Sequence, residues 1–134
     1  MTNNDWTQDI KEMHEHYGVN KAIRELTPEK LKAFLQFRIN FLQEELDELS
    51  NSKNGDDVVD ALIDLCVVAI GTLNALDVDS NVAWQRVYEA NMNKNVGVNS
   101  SRPNMFNLPD LVKPAGWVAP NHSDNIGLLT KIFD

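Results

Sequence analysis

The sequence predicts an all-α fold: a four-helix bundle-type subunit with an extended, proline-rich C-terminal arm. Three observations predict it. Apolar residues recur at three- and four-residue steps over long stretches. No alternating strand pattern of useful length interrupts them, and turn-forming Gly, Asn, Ser and Pro fall between the periodic stretches. With 134 residues the chain reads as one domain, 1–134, with a helical core at about 7–96 and an arm at about 97–134.

The first helical segment runs over residues 7–17 and stops at Gly18. The second opens at Thr27-Pro28-Glu29-Lys30, an N-cap candidate followed by proline at the first helical position. In it Leu31, Phe34, Leu35, Phe41, Leu42, Leu46 and Leu49 recur at helical steps. The turn-like string Ser50-Asn51-Ser52-Lys53-Asn54-Gly55 ends it. The third segment covers about 56–76. The fourth starts at Asp79-Ser80 and reaches about Asn95, before Gly97. Short connections imply antiparallel neighbours, so the middle of the chain reads as a helical hairpin.

The last quarter differs. Four of the five prolines, Pro103, Pro109, Pro114 and Pro120, fall there, so it is not one helix. It keeps Met105, Phe106, Leu108, Leu111, Val112, Trp117 and Val118 and a final Ile-Phe pair, residues in which disordered tails are poor. This predicts an arm packed on the bundle or on a partner subunit.

Composition narrows the function classes. A net charge of −8 argues against a nucleic-acid surface, which needs Lys/Arg patches, but leaves room for a phosphate ligand if a divalent cation supplies local positive charge. The N-terminus is polar and acidic rather than a signal peptide. The longest uninterrupted apolar run, residues 65–71, is too short for a bilayer. These features predict a cytoplasmic protein with no membrane partner. Cys66, the single cysteine, reads as a small core residue.

Two carboxylate clusters carry the chemistry. Glu44, Glu45 and Glu48 close the second segment in QEELDEL. Most Glu-rich helix ends are solvated patches, but here Phe34, Phe41 and Glu48 are spaced by sevens, as are Arg38 and Glu45, so the acids prolong the apolar face. After one short turn come Asp57, Asp60 and Asp64, at i, i+3 and i+7 on one helix face. Asp60 and Asp64 interrupt a stretch in which 11 of the 13 residues from 58 to 70 are apolar, which predicts a buried helix. Buried carboxylates must be paired or coordinate a metal. Basic residues near them are few, so a metal is favoured. Oxygen-only ligands suit Mg²⁺ or Mn²⁺, and five or six carboxylates suit two or more ions per site. The spacing is not that of an EF-hand.

The strings EELDEL and DDVVDALID resemble the EExxE…(E/D)xxD signature of the MazG-like all-α nucleoside triphosphate pyrophosphohydrolases. EANMNKN is similar to that family's Asn/Lys segment, and SRPNMFNLPDLVKPAGWVAPNH resembles the C-terminal extension of stand-alone phage and bacterial members. The resemblance spans about residues 28–122. It implies metal binding by Glu44, Glu45, Glu48, Asp57 and Asp60, with Glu44 or Glu45 also orienting the attacking water. Asp57 stands where many members carry Glu, and Asp64 lies outside the signature, in a supporting or structural place. The implied reaction is attack of a metal-activated water at the α-phosphorus of a nucleoside triphosphate, giving a monophosphate and pyrophosphate. The implied assembly is a tight homodimer or homotetramer, its sites completed by neighbouring subunits.

No P-loop motif is present, and three histidines near the chain ends build no Ser-His-Asp set. On the fourth segment Trp84, Val87, Asn91 and Lys94 share one helical face. That places Asn91 toward sugar or phosphate and Lys94 toward phosphate; the plainer reading is a polar helix end. Lys113 and Trp117 are assigned to phosphate and base, against a packing role for Trp117. His14 and His16 read as solvated or packed. Three alternatives stay open: a guanine-selective dGTP/GTP pyrophosphohydrolase of the phage MazZ type, a phosphoribosyl-ATP pyrophosphohydrolase, and a non-catalytic helical oligomer stabilised by metal.

Overall fold

The computed structural model describes residues 4–98 and 109–133. Among these are the helices α1 (Trp6–His16), α2 (Val19–Arg24), α3 (Pro28–Ser50), α4 (Gly55–Ala75) and α5 (Ser80–Met92). Two short strands, β1 (Asn95–Gly97) and β2 (Asp110–Val112), and a closing 3₁₀ turn, Gly127–Lys131, complete the elements. The fold is all-α, as the periodicity predicts. The chain divides into two compact units, Met1–Ser80 with Asn125–Asp134, and Asn81–Asp124.

In the first unit each long helix begins where its side chains can satisfy the free N–H groups of a first turn. Asp5 accepts from the Gln8 amide, Thr27 from Lys30, and Asn54 from Asp57. Pro28 takes the first helical position. Gly18, at φ +71°, breaks the chain after α1. The short α2 then follows, which the periodicity did not predict because six residues are too few to display a stripe. Its Ile23 joins Leu31, Ala75, Leu76 and Val78 in the buried core, with Leu128, Leu129 and Ile132 of the C-terminal turn packed on it. The Leu128 amide donates to the Leu76 carbonyl at 2.7 Å. Gly127 makes that approach possible: its φ is +50°, and a Cβ there would collide with the Leu76 carbonyl oxygen. The end of the predicted arm is thus a structural part of this unit.

The most extensive packing is between α3 and α4, and α1 and α2 also lie against α4. One expectation fails here. The near-uniform apolarity of α4 predicts burial all round, yet Val59 is 63% and Leu62 46% exposed, with Val58 and Ile63 also open. Among the described residues, α3, α1 and α2 cover only part of its circumference. By length and composition alone this helix could cross a membrane, at a mean hydropathy of 1.9; the apolar run of residues 65–71 understates it. Its four aspartates, Asp56, Asp57, Asp60 and Asp64, would be costly in a bilayer.

In the second unit, α5 is followed by β1, which pairs antiparallel with β2 so that Asn95 faces Val112 and Gly97 faces Asp110. Three-residue strands are too short to show alternation, which is why the sequence reads as strand-free. The Trp117 indole N–H donates to the Ala90 carbonyl at 2.7 Å, joining the arm to α5. Arg86 grips Asp124 with both terminal nitrogens, at 2.6 and 3.0 Å, and holds its carboxyl below the usual range. Trp84 is 69% exposed, so the face it was predicted to share with Asn91 and Lys94 is open at that end. Pro103, Met105, Phe106 and Leu108 lie outside the described residues.

Candidate active site

Antiparallel packing of α3 on α4 sets the register of the acidic residues. Glu45 is 8% exposed, and its Oε2 is buried with no hydrogen-bond partner. Its carboxyl is pushed above the ordinary range, first by burial, then by the charges of Glu48 and Asp64, with Glu44 contributing least. Asp64 is the α4 carboxylate whose charge acts on Glu45; Asp57 and Asp60, the α4 residues assigned to the metal, are not among the groups that shift it. Seven residues further along each helix the two pack together again: buried Gly71 lies against the His14 ring and the Arg38 guanidinium.

The remaining predicted acids stand differently. Asp60 is exposed, so the burial argument for it does not hold in the single chain. Asp57 sits in the first turn of α4, where its amide donates to Asn54 and its carboxylate accepts from the Lys53 amide at 3.4 Å. That is reciprocal capping of a helix start. Glu44 and Glu48 are exposed.

Among the described residues, no three His, Cys, Asp or Glu side chains converge as a formed metal cage would. The donor chemistry still fits a hard divalent cation. Glu45 has a buried oxygen without a partner and three carboxylate neighbours that disfavour its charge. A cation would answer both the orphaned oxygen and the like-charge crowding.

In the second unit Lys94 and Lys113 each place an ammonium 5.1 Å from the centre of the Trp117 ring. Asn91 and Lys94 are half-buried near the end of α5. These are the four residues assigned to substrate from sequence, and the structure joins Lys94, Lys113 and Trp117 in one cluster.

Residues 11–91, from α1 through most of α5, match the family model described as phosphoribosyl-ATP pyrophosphohydrolase. The chain belongs to this family. The match covers more than half of the chain, and no curated protein and no solved structure gives a match. The phosphoribosyl-ATP pyrophosphohydrolase family is part of the MazG-like all-α superfamily, so membership makes this protein a pyrophosphohydrolase acting on nucleotide phosphoanhydrides.

One polar cluster in this family member was missed at the sequence level. His14 is 8% exposed; its Nδ1 lies 3.1 Å from Asn74 Oδ1, to which Asn20 also donates at 3.2 Å. Burial, and then the Arg38 charge, lower the His14 pKa. Arg38 packs on the Phe34 ring at 5.4 Å. The one available signal was the seven-residue step from Arg38 to Glu45.

Proposed function

We propose that this chain is a Mg²⁺- or Mn²⁺-dependent pyrophosphohydrolase that converts a nucleoside or deoxynucleoside triphosphate to the monophosphate and pyrophosphate. The observation that carries the reading is the buried, unpartnered Glu45 oxygen between the carboxylates of α3 and α4. Glu44, Glu45, Glu48, Asp57 and Asp60 are the proposed ligands. The cation, when bound, supplies charge neutralisation for the polyphosphate and a more acidic water.

In the reaction, water adds to the α-phosphorus and the anhydride bond to the β-phosphorus breaks, releasing pyrophosphate. Glu44 or Glu45 orients that water. Glu45 suits the role because burial and its neighbours raise its proton affinity, which makes it a better acceptor at neutral pH. Asp64 supports it by adding negative charge beside it. Lys94 and Lys113 are assigned to phosphate oxygens, Asn91 to sugar or phosphate, and Trp117 to the base. Trp117 already donates its N–H to Ala90 and has the Lys94 and Lys113 ammoniums over its ring, so a stacked base would displace at least one of them.

The exposed apolar residues of α4 support a homodimer or homotetramer that buries Val59, Leu62 and Ile63 between copies. The test of the site is direct. Glu48→Gln and Asp60→Asn are each expected to abolish pyrophosphate release from triphosphate while helical content and oligomeric state are unchanged. Full activity in both variants would refute the ligand assignment.

A further inference from the structure

Arg38 makes no hydrogen bond or ion pair among the described residues, in a chain of net charge −8. It is half-buried, its Nε is sealed from water without a partner, and its contact is the Phe34 ring. Buried donors in native structures are satisfied by some partner, so this guanidinium lacks one. Asn20 Oδ1, in the group around His14, is also buried and unpartnered. His14 Nε2 and Arg38 Nη2 lie 3.2 and 3.9 Å from the point where a Cβ on Gly71 would stand. The imidazole therefore packs against the bare Cα of Gly71, with the guanidinium beside it, in a place where any side chain would crowd His14.

The protonation of His14 follows from its partners. In the structure Asn74 Oδ1 accepts from Asn20 Nδ2. His14 Nδ1 then carries the proton and donates to it, leaving Nε2 as a bare acceptor. The cluster thus offers guanidinium donors beside an imidazole acceptor. A phosphate, which has acceptors only, would face the Nε2 lone pair. A heterocyclic ring edge that sets a carbonyl next to an N–H satisfies both sides.

Position supports the same ligand. Arg38 precedes Glu45 by seven residues on α3, and Gly71 follows Asp64 by seven on α4, so the cluster lies two turns, about 10 Å, along the same α3–α4 contact. That separation suits the reach from an α-phosphate across its sugar to the far edge of its base.

We propose that Arg38 and His14 read the nucleobase, Arg38 donating to a ring carbonyl and His14 Nε2 accepting from the adjacent ring N–H. Asn20, Asn74 and Gly71 position the pair. This selects keto bases, guanine and thymine or uracil, over adenine and cytosine. A carbonyl gives the guanidinium two lone pairs where a ring nitrogen gives one, and an exocyclic amino group gives it none. The proposal rests on the pyrophosphohydrolase reading for the placement of the phosphate end.

The test compares kcat/KM for dGTP, dTTP, dATP and dCTP in the wild type, Arg38→Gln and His14→Gln, with circular dichroism and gel filtration on each. Binding of dGMP and dAMP is measured in parallel by calorimetry. The wild type is expected to favour dGTP and dTTP. Arg38→Gln is expected to lose about 10- to 100-fold on these two and less than threefold on dATP and dCTP. His14→Gln, whose amide can still accept, is expected to lose less. If His14→Gln fails to fold, the Arg38 comparison decides alone. A wild type that prefers dATP or dCTP overturns the proposal, as does an equal loss on all four substrates. Dissociation of the oligomer in Arg38→Gln overturns it too, because the missing partner is then a neighbouring copy. If no triphosphate is hydrolysed but dGMP binds more tightly than dAMP, and Arg38→Gln removes the difference, base reading stands and the pyrophosphohydrolase reading fails.

Discussion

Asp64 on α4 faces Glu45 on α3 closely enough that its charge, after burial and Glu48, helps push the Glu45 carboxyl above its ordinary range. Two carboxylates brought together by a helical hairpin, one with a buried orphaned oxygen, make no ion pair among the described residues. A bound divalent ion should therefore stabilise the fold. In thermal unfolding, saturating Mg²⁺ or Mn²⁺ is expected to raise Tm by several degrees, as a ligand at 100 times its Kd contributes about 2.7 kcal/mol. Glu45→Gln should raise the Tm of the metal-free protein and remove most of the response to metal. An unchanged response in that variant would place the ion elsewhere.

The open face of α4 gives a second expectation. Leu62 is 46% exposed in the single chain and lies among other open apolar residues. Leu62→Lys, which places a charge in the proposed contact between copies, should convert the assembly to monomer in analytical ultracentrifugation. A wild type that is already monomeric at micromolar concentration would refute the proposed assembly.

His14 supplies a pH signature. Its pKa in the folded protein is lowered, mainly by burial. The unfolded chain therefore binds the proton first as pH falls, starting near the ordinary value of about 6.5. The stability associated with neutral His14 is fully present above that pH and is lost as pH falls through the lowered folded value. Chemical denaturation at a series of pH values should show this loss in the wild type and a flatter profile over the same window in His14→Gln. Identical profiles would mean that the imidazole is not held neutral.

Gly127 tests the closure of the first unit. A Cβ at φ +50° meets the Leu76 and Asp77 carbonyls, so Gly127→Ala is expected to cost about 1–3 kcal/mol. The loss should appear as a lower denaturation midpoint with an unchanged slope. A neutral effect would show that the C-terminal turn does not need this approach.

The part of the candidate site legible in the sequence is the α3 face with its buried Glu45, because helical periodicity reports which side chains share a face. The steps of seven that carry Phe34 to Phe41 and Glu48, and Arg38 to Glu45, need no tertiary information. What the sequence could not convey depends on who covers whom. Apolarity around α4 reads as burial, but the single chain leaves Val59 and Leu62 open, and Asp60 with them. The His14, Asn20, Arg38 and Asn74 cluster draws one residue from each of four helices, so no local pattern announces it. Asp57 has a second, local contact that spacing does not convey: its carboxylate accepts from the Lys53 amide ahead of α4.

The most direct measurement is product analysis of nucleoside triphosphates incubated with the pure protein and Mg²⁺ or Mn²⁺. Stoichiometric pyrophosphate and nucleoside monophosphate are expected, with solvent ¹⁸O entering the monophosphate because water attacks the α-phosphorus. Orthophosphate as the only phosphate product, or no turnover with any triphosphate, would contradict cleavage at that bond.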